Sequence, residues 1–150
     1  MRKRGFTLVE MVLVIGIAAM LLWIIVPMVQ AYIEKGRVSQ AIVEIGTMST
    51  AIRQQIRTKG ALPDSLDDAG FAGKADPWGH PYEYVNLMDS KGNGQARKDK
   101  KTNPLNSDFD LYSVGADGKT KPQVTHANSR DDVIRARDGA FIGLASDFDP

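Results

Sequence analysis

"RGFTLVEMVLVIGIAAMLLWIIVPMV" (residues 4–29) opens on a cation, carries a proline two residues from its end, and in between holds a single charge, Glu10. From Met11 to Val29 run 19 uncharged residues rich in Val, Ile, Leu and Met. As a helix rising about 1.5 Å per residue they cover roughly 28 Å, enough for a hydrocarbon core of about 30 Å. Arg2, Lys3 and Arg4 precede the run and no cation follows closely, so the N-terminus is expected in the cytoplasm with the rest of the chain across the membrane. Two ordinary readings are a cleaved secretory signal, with Val29-Gln30-Ala31 as the cleavage site, and a plain membrane anchor. Neither accounts for Glu10. A carboxylate within a membrane span is costly and should face a partner, yet no Lys or Arg stands between Arg4 and Lys35.

Cleavage between Gly5 and Phe6 would make the missing cation. The new α-amino group at Phe6, with a reference pKa of about 7.7–8.0, would lie four residues ahead of Glu10. Opposite charges about 4 Å apart, at an effective dielectric near 20, attract strongly enough to offset the cost of insertion. Pairing within one chain satisfies the acid. Pairing between Glu10 and the Phe6 amine of a neighbour also gives the chain a reason to polymerise.

Arg4-Gly5-Phe6-Thr7-Leu8-Val9-Glu10, followed by the apolar run, resembles the class III signal of type IV pilins and of the pseudopilins of type II secretion. The resemblance implies that a prepilin peptidase cuts between Gly5 and Phe6 and N-methylates Phe6, and that Glu10 sets register with the neighbouring subunit. Pro27 stands where many members carry a helix-kinking proline, and a kink is expected near Val26. The implied layout is a leader (residues 1–5), a transmembrane and assembly helix (6–29) and a periplasmic head (30–150) that includes the amphipathic half of the helix.

Beyond Pro27, apolar residues recur at Val29, Ile33, Val38, Ala41/Ile42, Ile45, Met48/Ile52 and Ile56, the steps of one helical face. Glu34, Lys35, Arg37, Gln40, Glu44, Arg53, Gln54 and Arg57 occupy the other. Gly60 and Pro63 supply the stop, so one helix is predicted over about 6–59. Residues 61–75 read as a loop with one short helical turn, capped by Asp64 or Ser65 and ended at Gly70. "DPWGHPYEYVN" (76–86) is a turn leading into a strand with Tyr82, Tyr84 and Val85; "DFDLYSVGADG" (108–118) is a strand with Phe109, Leu111 and Tyr112 running into a Gly-Ala-Asp-Gly turn. Together these pieces resemble the paired strands of the major pseudopilin. The fold class expected is α+β: a pilin-like fold with a long N-terminal helix packed on a small antiparallel β-sheet head with extended loops. Asp138-Gly139 is read as a turn, with Arg135 and Arg137, before a last strand at 140–145 that packs Phe141, Ile142 and Leu144 on the helix.

The composition is that of a folded protein, 43% hydrophobic and 25% charged, with no cysteine. An exported head without disulfides must be held by packing or by a metal. The net charge of +1 falls to −2 once the three leader cations are gone, which gives no sign of a polyanion binder. Lys91, Arg97, Lys98, Lys100 and Lys101 form a basic run in residues 88–107 without interleaved aromatics, read as a solvated loop, and no nucleic acid is expected. Asp89-x-Lys91-x-Asn93-Gly94 echoes a calcium loop, but lysine holds a ligand position and Lys100 stands where the closing Glu belongs. The better metal candidate joins Asp117, in its Gly-flanked turn, to Asp131 and Asp132. The resemblance to the major pseudopilin implies calcium held by these three carboxylates and by backbone carbonyls near Val114 and Lys119. Lys119, Lys121 and Arg130 in the intervening loop offer the alternative of neutralisation without metal.

His80 and His126 carry no catalytic spacing, and no Walker loop, zinc spacing or nucleophile elbow is present. A non-enzyme is expected: a major-pseudopilin-like subunit of a periplasmic type II secretion filament. Its partners would be identical subunits, other pseudopilins, the peptidase, the inner-membrane assembly platform and membrane lipid. A type IV pilin serving adhesion, motility or DNA uptake is the nearer alternative, and a soluble periplasmic binding domain released by signal cleavage the more distant one.

Overall fold

The computed structural model describes residues 5–89, 95–101 and 103–149. The chain divides into two units, one reaching to Gly36 and one starting at Arg37. The helix α1 (Leu8–Lys59) runs through both, without interruption at Pro27. It is long and apolar enough, by length and composition, to cross a membrane. In the first unit every residue from Gly5 to Ile33 is exposed. Leu8 is 80%, Met20 74% and Trp23 86% accessible, so the apolar surface runs all round the helix and no face of it is covered by its own chain. Such a helix is at rest only in hydrocarbon or among other helices.

In the second unit α1 becomes one-sided. Ala41, Ile45, Met48, Ser49 and Ile52 are buried at helical spacing, and Val38, Ile42 and Ile56 pack at the margin. The helix ends as the sequence suggests. The Gly60 amide donates to the Ile56 carbonyl at 2.8 Å with Gly60 at φ +75°, a left-handed cap with Pro63 soon after.

Four short strands form one antiparallel sheet in chain order: β1 (Glu83–Asn86), β2 (Phe109–Ser113), β3 (Val133–Ala136) and β4 (Phe141–Leu144). Register pairs Tyr84 with Leu111, Tyr112 with Ile134, and Ile134 with Gly143. Strand alternation then sorts the side chains. Tyr84, Phe109, Leu111, Val133, Ile142 and Leu144 join the helix residues and Tyr82 in the main core. Each fully buried Ile or Phe there contributes roughly 1.5–3 kcal/mol.

The opposite face carries a second cluster of Leu105, Val124, Ile134, Ala136 and Ala145, with Tyr112, Phe141 and Phe148 at its edge. The β1–β2 connection, read as a solvated loop, and the β2–β3 connection cover this face. The Lys98 amide donates to the Pro122 carbonyl and the Val124 amide to the Lys98 carbonyl, lacing the β1–β2 connection to the β2–β3 connection.

Three expectations change and one holds. The strand β3 lies where only loop was read. Phe141 packs on the outer cluster and not on the helix, whereas Ile142 and Leu144 do face α1. Residues 65–70 form the single helical turn expected: the Ser65 hydroxyl accepts from the Asp68 amide at 3.2 Å, the Ala69 amide donates to the Ser65 carbonyl at 3.2 Å, and Gly70 ends the turn at φ +89°. Arg97, placed in a solvated run, is 2% exposed. The leader cations Arg2, Lys3 and Arg4, and Lys91, Asn93 and Gly94 of the calcium-loop echo, lie outside the described residues.

Candidate assembly segment and head loops

At the start of α1, Thr7 is the N-cap and Glu10 the third helical residue. The Glu10 amide donates to Thr7 Oγ1 at 3.3 Å, and Glu10 Oε2 accepts from the Thr7 amide and the Thr7 hydroxyl, both at 2.8 Å. This is a capping box, which satisfies helix-end donors reciprocally. Its signature, Thr followed three residues later by Glu, was open to sequence reading and passed over, because Glu10 drew notice only as a charge. Phe6 is 75% exposed beside it and Gly5 is open on all sides. Glu10 therefore serves its own helix locally and still stands at an uncovered surface. Pro27 lies on the same exposed stretch.

In the head, the structure brings one pair of the expected metal residues together and turns the third away. Asp131 Oδ2 accepts from the Asp117 amide at 3.1 Å, and Asp117 Oδ1 accepts from the Lys119 amide at 2.8 Å. Gly115 (φ +67°) presses so closely on Asp131 that a Cβ would sit 2.4 Å from the Asp131 carbonyl oxygen, so only glycine fits there. Asp132, wholly buried, points elsewhere: its Oδ2 meets Arg97 Nη2 at 2.6 Å and the Thr120 hydroxyl at 2.7 Å. Burial pushes the Asp132 carboxyl up, against the pull of Arg97 and Thr120. Val114 is buried at the end of β2 and Lys119 is exposed. Among the described residues no three carboxylate or imidazole side chains gather as a metal site. Calcium takes six to eight oxygens, and a donor set in which the best-buried carboxylate already holds a guanidinium does not fit it.

The Asp-Pro-Trp-Gly-His turn is locked onto the same corner. Asp76 Oδ1 accepts from the Trp78 and His80 amides (3.0 and 2.8 Å), while its Oδ2 takes the Ser113 hydroxyl at 2.5 Å. His80 Nδ1 lies 3.0 Å from the Gly115 carbonyl and its ring packs on Gly118. Ser, His and Asp thus meet, but Ser113 is buried and donates to the Asp, an arrangement that positions a turn and offers no nucleophile.

A second cluster ties helix to sheet. Arg135, on β3 and 1% exposed, donates to both Asp108 oxygens (2.7 Å each), the Phe109 carbonyl (2.7 Å) and Ser49 Oγ of α1 (3.0 Å), and lies 3.9 Å over the Phe109 ring. Nearby, Tyr82 donates to Glu44 at 2.8 Å, and Lys74 lies 3.3 Å from the same carboxylate oxygen. Burial and the Glu44 carboxylate push the Tyr82 phenol far up; for Glu44, burial raises the pKa but donation from Gln40, Tyr82 and Lys74 outweighs it and holds the carboxyl low.

Comparison with known proteins points the same way. The profile of the prokaryotic N-terminal methylation motif matches residues 1–26. The type II secretion system core protein G of Pseudomonas aeruginosa is 28% identical over 139 residues, covering 79% of this chain and 87% of that protein. The protein of the same name from Xanthomonas campestris is 29% identical over 132 residues, covering 78% and 81%. A fimbrial protein of Neisseria meningitidis is 26% identical over 149 residues, covering 96% and 85%. No solved structure matches with significance. With a methylation motif at its head, relatives of both kinds along its length, and one long apolar helix leading into a four-stranded antiparallel sheet, the chain has a pilin-like layout and is similar to both type IV pilins and secretion pseudopilins.

Proposed function

We propose that this chain is a major-pseudopilin-like structural subunit of a type II secretion filament. It is made as an inner-membrane precursor with its N-terminus in the cytoplasm and its head in the periplasm. A prepilin peptidase cuts between Gly5 and Phe6 and methylates Phe6. An inner-membrane platform then draws the subunit into a filament with identical subunits and other pseudopilins. The observation that carries the assembly reading is the exposed apolar surface of residues 6–33 with Glu10 at its head. Hydrocarbon covers it before assembly, and neighbouring helices replace lipid afterwards. The chain works as scaffold and not as an enzyme. The secretion role is supported by the β1–β2 pair, built from Asp76–Asn86 and Asp108–Gly118, by two relatives named core protein G, and by a head without cysteine.

A type IV pilin role has its own support in fimbrial relatives that cover 96% of the chain. Deletion in the native host decides between them. Secreted proteins stranded in the periplasm, with no loss of surface fibres, are expected; loss of long surface fibres with normal secretion would replace the secretion role by the pilus. N-terminal sequencing of the mature protein should begin at methylated Phe6, and a start at Tyr32 would remove the assembly reading altogether.

A further inference from the structure

A head without disulfides needs another tie between its long connections, and Arg97 has the geometry of one. It comes from the β1–β2 connection and is 2% exposed. Its amide donates to Asp110 Oδ2 of β2 at 2.6 Å, its Nη1 to Thr120 Oγ1 at 2.6 Å, and its Nη2 to Asp132 Oδ2 at 2.6 Å. The guanidinium plane lies 4.2 Å over the Tyr112 ring. The Thr120 hydroxyl closes the ring of contacts by donating to the same Asp132 oxygen. One residue thus joins its own loop, β2, the loop after the Gly-Ala-Asp-Gly turn, and the residue just ahead of β3.

We propose that the Arg97 guanidinium is the built-in cation of this corner, holding Asp132 in place of a metal, so that the head neither needs nor binds calcium. A guanidinium stays charged at any physiological pH and matches a carboxylate with directed hydrogen bonds. A divalent ion brought to Asp132 would face that buried positive charge without solvent screening. It would also find few ligands. Asp117 and Asp131 are already turned to backbone amides, and Asp132 Oδ1, buried without a hydrogen bond like Arg97 Nε, is a single oxygen against the six to eight that calcium takes. The inference concerns the head alone and holds for either filament.

The test uses the full-length protein in detergent micelles, melted in millimolar calcium and in excess chelator. Equal Tm values are expected. A native site loaded to about 100 times its Kd raises Tm by several degrees, so such a rise, or calcium binding seen by calorimetry, would overturn the proposal. A double-mutant cycle tests the pair itself. Arg97→Met and Asp132→Leu should each lower Tm by several degrees, because each strands a buried charge. The Arg97→Met/Asp132→Leu double variant should fall by clearly less than their sum. Strict additivity would show that the two residues do not hold each other. If a single variant fails to fold, the calcium and chelator melts of the wild-type protein still decide: a Tm that rises with calcium sinks the idea.

Discussion

Glutamine at position 10 separates the helix cap that the structure shows from the assembly charge proposed for the same carboxylate. The capping box accepts Gln as readily as Glu, so Glu10→Gln keeps the contacts to the Thr7 amide and hydroxyl and removes only the charge. Thr7→Ala does the reverse: it deletes one hydroxyl, with its 2.8 Å and 3.3 Å contacts, and leaves the charge. Losing an N-cap of this kind costs about 1 kcal/mol, or roughly a fivefold fall in any equilibrium that needs the first turn formed. That figure is the most that capping alone explains. Wild-type and epitope-tagged variant subunits would be co-expressed, filaments sheared and collected, and the tagged fraction compared with that in the membrane. Thr7→Ala should fall by no more than about fivefold. Glu10→Gln should fall by about tenfold or more, because it loses an ion pair in a low-dielectric setting. Glu10→Ala should fall furthest while its head stays folded. A glutamine variant that enters filaments like wild type, with Thr7→Ala reproducing the alanine defect at position 10, would reduce Glu10 to a helix cap.

Two further outcomes concern the head. Arg135→Met strands the Phe109 carbonyl and Asp108 and should cost about 3 kcal/mol, near the lower end for a broken buried pair because Asp108 keeps 23% of its side chain in water. Thermal melting should show Tm lower by about 10 °C, and a change within about 1 °C would mean that the junction is held by packing alone. In alkali, Tyr82 and Tyr84, both pushed up chiefly by burial, should ionise only on unfolding. With the folded pKa above the unfolded one, their contribution is whole below about pH 10 and is lost as pH rises beyond it, at about 1.4 kcal/mol per unit for each tyrosine. In a Tyr32→Phe background, which removes the 80% exposed ring, phenolate absorbance should therefore rise together with loss of circular dichroism; ionisation well ahead of unfolding would show that the buried rings are open to solvent.

Residues whose burial follows their polarity were legible in the sequence. The helix to Lys59, its buried stripe through Ile45 and Ile52, and the strands around Tyr84 and Leu111 all follow from apolar spacing. The strand β3 did not, because its inward positions are Val133 and Arg135. An arginine at a core position inverts the alternation that marks a half-buried strand, and only the sheet's register supplies the Asp108 and Ser49 that make it tolerable. Arg97 was misplaced for the same reason. Its partners lie 13, 23 and 35 residues away, and a run of Lys and Arg looks solvated until those partners arrive. The resemblance to the major pseudopilin placed the Asp117 turn and Asp131 at one corner, and the close approach of Gly115 to Asp131 shows how they meet there. Which cation waited for Asp132 was not visible.

The first turn of α1 also bears on maturation. Among the described residues, the groups that secure it belong to residues 7–11, downstream of the bond between Gly5 and Phe6. Proteolysis at that bond, as proposed, would leave these contacts in place. What removal of the proposed leader would alter is charge: three basic side chains are lost, and the terminal amine moves from Met1 to Phe6. If the proposed assembly machinery admits only processed subunits, the charge and bulk at the chain end are what it would read.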